Sequence, residues 1–213
     1  MTTKMTDQRP TTGVTMTALT THMFRYMPTL GRTVAVAAMV LAFPIAALAT
    51  DWTVVPAQSR IGFSGTHAGK AFKGEFQQWT AEITFDPSDL AKAKATVTVQ
   101  LASARTGDTT YDKTLPTVDW FDVAKTPAGV FTATGFRALG GDKFEADGTV
   151  TIRGFKVPVS LAFTWRPDGD RAMLTGSTKM KRLDFGIGKS SDAPGEWVSL
   201  DIPVDVTVAL QKR

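Results

Sequence analysis

From residue 59 onward the chain alternates between apolar and polar positions, segment after segment. "SRIGFSG" (59–65) sets Ile61 and Phe63 on one side of an extended chain, and "AEITFD" (81–86) does the same with Ile83 and Phe85. "ATVTVQL" (95–101) opposes Val97, Val99 and Leu101 to Thr96, Thr98 and Gln100. "GVFTATGFRAL" (129–139) and "KFEADGTVTIR" (143–153) flank a Gly-Gly-Asp joint. "KVPVSLAFTWR" (156–166) carries Val157, Val159, Leu161, Phe163 and Trp165 on one face, and "RAMLTGSTKMK" (171–181) follows the turn "PDGD". The last segment, "VSLDIPVDVTVALQ" (198–211), is the longest, with Leu200, Ile202, Val204, Val206, Val208 and Leu210 aligned. Side chains of a strand point alternately to opposite sides, so each segment predicts a β-strand with one buried face. The Gly- and Asp-rich joints predict tight turns and antiparallel neighbours. Only "TTYDKTLPTVDWFDVAKTP" (109–127) reads as a helical or irregular insertion. No 3.6-period segment is long enough for a crossover helix, which disfavours a parallel sheet. About eight one-faced strands form either a sandwich or a barrel, and periodicity alone does not separate the two.

The N-terminal part has a different pattern. Residues 34–46, "VAVAAMVLAFPIA", are uncharged and apolar, with Arg25 and Arg32 upstream and Ala47-Leu48-Ala49 behind. This order is that of a signal peptide, cut after Ala49 and directing the rest to the periplasm. The run is short for a membrane span, which needs about 20 apolar residues. The stretch before Arg25 is long for such a leader, so Met23 or Met27 is a candidate true start. Residues 1–49 are therefore read as leader and 50–213 as one domain, without linker or internal repeat.

That division changes the charge argument. Four of the 24 basic residues (Lys4, Arg9, Arg25, Arg32) and one of the 20 acids (Asp7) lie in the leader. The remaining 164 residues hold 20 bases and 19 acids, scattered and nearly balanced, which is no footprint for nucleic acid. The chain has no cysteine, so disulfides, thiolate metal sites and covalent haem are excluded. His67 is the one histidine after residue 49. Multi-histidine metal sites are thereby excluded, and no metal is expected.

The order of motifs along 51–210 resembles the YceI-like family, exported lipocalin-like proteins that bind polyisoprenoids. Trp52, Val54, Ser59, Ile61, Phe63 and His67 match its opening, with Gly74 and Phe76 following in "KGEF". Thr106, Gly107, Asp112, Leu115, Asp119, Phe121, Asp122, Pro127 and Phe131 match its middle. "GTVTIRGFKVPV" (148–159) and "KRLDFGIG" (181–188) match the last two blocks. Tyr111 stands where the family often has Arg, and Trp120 where it often has Phe. The resemblance implies an all-β chain: a single antiparallel, lipocalin-like barrel of about eight strands with a short helical insertion. It also implies a long isoprenoid chain in the lumen, either a polyisoprenoid or an isoprenoid quinone, and no catalytic group. The "DWFD" form is similar to a branch whose members accompany membrane cytochromes b, giving an alternative role in quinone handling; a homodimer is also compatible with the family.

Candidate lumen residues are Phe63, Val99, Phe131, Ile152, Leu161, Phe163, Ile202, Val204 and Val206, together with Phe185. Any of them can equally be packed core, since alternation marks burial and not an empty interior. Leu115, Trp120 and Phe121 form either a lid or a staple for the insertion. The polar candidates are His67, Asp112, Arg182 and Asp184. Arg182 and Asp184 are expected on the same side of a strand, with Asp112 as a further partner. The guanidinium then either pairs with a carboxylate or meets a quinone oxygen or pyrophosphate head group. His67, with no acid or nucleophile beside it in sequence, is expected to make a structural hydrogen bond. Asp119 and Asp122 are expected to cap and turn their loop. An enzyme on the same barrel is the least favoured reading.

Overall fold

Alternation with period two builds a ring of strands in which every second side chain faces inward. The protein was analysed as a computed structural model. Residues 50–213 are described; the leader read over residues 1–49 lies outside them. The strands are β1 (Asp51–Val54), β2 (Arg60–His67), β3 (Lys70–Phe76), β4 (Trp79–Thr84), β5 (Lys94–Gln100) and β6 (Ala104–Arg105). After helix α1 (Thr109–Thr114) come β7 (Ala128–Gly140), β8 (Lys143–Ile152), β9 (Phe155–Asp168), β10 (Arg171–Lys181) and β11 (Asp201–Lys212).

Antiparallel neighbours run β4-β5-β7-β8-β9-β10-β11, and β1 pairs with both β4 and β11. That contact closes an eight-stave barrel and removes the open edges a flat sheet would leave. β2 continues the line of β1 along β11, with Phe63 opposite Val204 and Ile61 opposite Val206. β3 and β6 extend the wall beside it. Periodicity and turn chemistry therefore resolve to the barrel, and not to a sandwich.

The two ends differ. At the lower end, where β11 finishes, Trp52, Phe85, Phe144, Phe163, Trp165 and Leu210 pack into a dry plug. Trp52 and Trp165 meet edge to face at 5.0 Å between centroids, and the Trp52 indole N–H donates to the Phe85 carbonyl at 2.9 Å. The edge-to-face geometry suits the ring quadrupoles, and the hydrogen bond satisfies the buried Trp52 indole N–H. At the upper end lie the β2–β3 turn, the α1 insertion, the β8–β9 turn and the long β10–β11 loop.

The face of β11 thus covers two things. Leu210 seats in the plug, whereas Ile202, Val204, Val206 and Val208 line a cavity above it. Leu200 does not belong to this face. It precedes β11 and is 39% exposed, because the chain is still in the loop there.

The β2–β3 turn carries local strain. Ala68 and Gly69 both have positive φ (48° and 77°) between the paired residues His67 and Lys70. A two-residue hairpin of this hand favours Asn-Gly, and alanine there holds its Cβ against the following carbonyl. Ala68→Asn is expected to stabilise by about 1 kcal/mol, raising Tm by about 2–4 °C in a thermal melt.

Candidate functional site

Above the plug the barrel encloses a cavity of about 580 Å³. Its wall is the inward row of the strands. Phe63 comes from β2, Val99 from β5, Phe131 from β7, Ile152 from β8, Leu161 and Phe163 from β9, and Ile202, Val204 and Val206 from β11. Leu115, Trp120 and Phe121 descend from the insertion, and Phe185 enters from the 3₁₀ turn Arg182–Phe185. All thirteen candidate lumen residues face this one space. Two glycines keep it clear of crowding. A Cβ at Gly74 would lie 2.4 Å from the Phe63 ring, and one at Gly148 would lie 2.4 Å from the Phe131 ring. Each glycine lets a ring lie along the wall.

The cavity is long and narrow. Its lining on β11 runs from Ile202 to Val208, which is about 20 Å of strand at about 3.3 Å per residue. An extended apolar chain suits this space.

Polar lining gathers at the upper end. Tyr111 and His67 are joined there, Tyr111 Oη to His67 Nδ1 at 2.9 Å, with their rings 5.0 Å apart. A structural hydrogen bond is the expectation for His67; its partner here is Tyr111, which α1 brings across from 44 residues away. Thr106, Thr110 and Thr114 border the same opening, as does Trp197, whose ring lies 6.4 Å from His67. Among the described residues no cluster of three or more His, Asp or Glu is placed to share a metal ion.

Arg182 corrects the sequence reading. It does not alternate on a strand with Asp184; the chain turns at Arg182–Phe185, and Gly186 in the left-handed region (φ 66°) ends that turn. Asp184 therefore faces solvent, outside the cavity lining. Asp112 is also elsewhere, accepting the Thr106 amide and hydroxyl, each at 2.7 Å. The buried guanidinium pairs instead with buried Asp192 at 2.7 Å. Its remaining donors go to carbonyls: Nε to Ser199, Nη1 to Ile187, and Nη2 to Asp192 and Val198. Asp192 in turn accepts the amides of Glu196, Trp197 and Val198. The pair folds the β10–β11 loop around itself and commits Nε and Nη2 to the protein, with Nη1 bonded once, to Ile187.

A second carboxylate locks this loop to the insertion. Asp119 accepts the amides of Ser190 (2.9 Å) and Ser191 (3.0 Å) and the Ser191 hydroxyl (2.6 Å). Asp122 stays within its own loop, 3.9 Å from Lys125. Arg153 completes the rim, donating to the carbonyls of Val118 and Gly186.

These contacts make the rim sensitive to acid. Burial opposes ionisation of Asp192, but the amides of Val198, Trp197 and Glu196 and the charge of Arg182 outweigh it, lowering its pKa. Burial likewise opposes Asp119, and the Ser190 and Ser191 donors prevail; at Asp112 the Thr106 donors lower the pKa. A carboxyl with a lower pKa folded than unfolded stabilises the fold fully above its unfolded value, about 3.9, and loses that stabilisation as pH falls through the folded value. The amides of Ser190, Ser191 and Glu196–Val198 are expected to lose hydrogen-exchange protection below about pH 3.9. The barrel strands should keep theirs to lower pH.

Comparison with known proteins places this geometry. A family model of the YceI-like domain matches residues 52–210. A UPF0312 protein of Azotobacter vinelandii is 30% identical over 152 residues, covering 68% of this chain and 79% of its own length. The UPF0312 protein VVA0736 of Vibrio vulnificus is 29% identical over 161 residues, covering 70% and 84%. The crystal structure of Burkholderia cenocepacia BcnA superposes with a TM-score of 0.71 at 25% identity, over 73% of this chain and 98% of BcnA. A polyisoprenoid binding domain from Saccharophagus degradans shares the fold at a TM-score of 0.59 and 14% identity, over 78% and 99%.

Proposed function

This chain belongs to the YceI-like family, and from that premise we propose that its lumen carries the tail of a long-chain polyisoprenoid or isoprenoid quinone. The observation that carries this reading is the single apolar bore, about 580 Å³, open beneath a polar mouth and stopped by an aromatic plug. A prenyl tail hiding about 300–400 Å² of apolar surface gains roughly 8–10 kcal/mol before the costs of ordering it. Binding of this kind asks for no catalytic group. The Saccharophagus degradans domain, described as polyisoprenoid-binding, has the same barrel and supports the reading at the level of fold.

The mouth narrows the choice of head group. The charge of Arg182 is paired with Asp192, so no buried cation without a counter-ion awaits a pyrophosphate. The polar groups nearest the opening are the His67–Tyr111 pair and the Thr110 hydroxyl, since Thr106 donates to Asp112 and Thr114 to the Thr110 carbonyl; such groups suit a carbonyl or hydroxyl oxygen. Inside the cavity a quinone or a prenyl alcohol oxygen therefore fits, whereas a diphosphate would have to stay outside it, at the exposed lysines of the mouth. The proposal includes release into the periplasm after cleavage behind Ala49, which N-terminal sequencing of exported protein near Thr50 tests. A partner that hands quinone to a membrane cytochrome b would use the same lumen, and co-purification from membranes separates that role from simple carriage.

Organic extraction of the natively purified protein, followed by mass spectrometry, tests the cargo. A prenyl lipid near one per protein is the expected result. An extract empty of prenyl lipid, or rich in straight-chain fatty acid, would overturn the assignment.

A further inference from the structure

Large apolar side chains usually leave the surface, yet four stand out around the mouth, Leu200 (39% exposed) and three that are more exposed still. Val118 is 66% exposed, Trp197 59% and Phe155 48%. Val118 and Phe155 belong to adjoining loops, tied by Arg153, whose Nη2 donates to the Val118 carbonyl at 2.9 Å. Trp197 rises on the other side of the opening beside His67, and it touches both the cavity and solvent. Five exposed lysines encircle the same end: Lys70, Lys113, Lys156, Lys181 and Lys189. None has an ion-pair partner among the described residues. The uncommitted acids there are two, Asp184 and Glu196, since Asp108, Asp112, Asp119, Asp122 and Asp192 are all held by hydrogen bonds or ion pairs. The end that opens to the cavity is thus apolar at its tips and basic around them. At the plugged end the large rings are buried, one large apolar side chain, Leu139, is exposed (49%), and the basic residues are mixed with the exposed acids Asp142, Asp168 and Asp170.

We propose that the mouth end docks on an anionic lipid bilayer, with Trp197, Phe155 and Val118 entering the interface and the lysine ring facing lipid phosphates. Tryptophan suits the headgroup level, where its ring is half in hydrocarbon and its N–H in water. Lysines near an anionic leaflet each add attraction, worth about a fivefold change in affinity. Their aliphatic stems can lie along the surface while the ammonium reaches outward. Docking in this pose sets the bore against the membrane, so a lipid tail could enter without crossing water. The rim rests on surface chemistry alone and holds whether or not the lumen carries a prenyl chain.

The test uses the protein as purified and vesicles of phosphatidylcholine with or without phosphatidylglycerol, all lacking prenyl lipid. All five tryptophans lie at Trp52 or beyond, so quenching by brominated acyl chains reads the barrel and not the leader. Quenching is expected with anionic vesicles, weak with neutral ones and reduced by salt. In Trp197→Phe it should largely vanish, although Trp52, Trp79, Trp120 and Trp165 remain. A Lys70→Gln/Lys113→Gln/Lys156→Gln/Lys189→Gln variant should bind anionic vesicles more than tenfold less tightly. Equal quenching in Trp197→Phe, or equal binding to both vesicle types, would overturn the proposal. So would a rim that binds only a second copy, seen as a dimer that Trp197→Ser/Phe155→Ser dissolves while neither protein binds vesicles.

Discussion

Asp192→Ala is expected to cost about 3–5 kcal/mol, the largest loss of any single exposed-loop substitution in this chain. The reason is what it leaves behind. Arg182 is 3% exposed and would keep its charge inside the protein with no counter-ion. The amides of Glu196, Trp197 and Val198 would lose their acceptor at the same stroke. Arg182→Lys keeps a charge but not the planar fork that reaches four carbonyls and a carboxylate, so it should destabilise nearly as much. Asp192→Asn, which retains an acceptor oxygen, should fall between parent and alanine. Urea melts measure the global loss. Hydrogen exchange at Glu196–Ser199 should show the loop opening first, because the barrel strands close without it. Unchanged exchange there would mean that the pair does not hold the loop.

Val204→Trp is expected to reduce prenyl-lipid affinity at least about 100-fold while leaving the barrel folded. Val204 lines the bore between Phe63 and Thr178 and is 8% exposed. A ring added at this point enters the cavity and obstructs it. If the interior were solidly packed, the same ring would have nowhere to go and would cost about 1–3 kcal/mol or more in strain. Binding and thermal melting measured together therefore separate the two cases. Lost binding with a Tm within a few degrees of the parent marks a real lumen. A much lower Tm would mark a filled core.

How legible this was depended on which physical signal carried each part. Strands β5 and β7 to β11 were plain because Val, Phe and Ile recur at every second position there. β3 was not read, since in "KAFKGEF" the inward row is Phe72, Gly74 and Phe76, and glycine breaks the apolar run. β1 and β6 are too short for a period to show. The nine lumen residues on strands share the strands' period, so the alternation that marks burial placed them on the cavity wall; Leu115, Trp120, Phe121 and Phe185 lie off the strands, in the insertion and the turn Arg182–Phe185. Whether the wall encloses space is set by how far the ring closes, which no local pattern records. The rim was the least legible part. Asp192 sits in "SDAPGEW", an irregular loop, and its pairing with Arg182 depends on the tight turn at Gly186, read in the sequence as continuing strand. Tyr111 stood out only as a departure from the family pattern; its bond to His67 is a product of the insertion folding over the opening.

The most direct test of the carrier reading is the dependence of affinity on tail length. Delipidated protein would be titrated with prenyl alcohols of increasing length, sharing one head group. Affinity should climb steeply with each added isoprene unit, as more apolar surface leaves water, and level off once the tail fills about 20 Å of bore. Affinity independent of tail length would contradict the account, because binding would then belong to the mouth and not to the lumen.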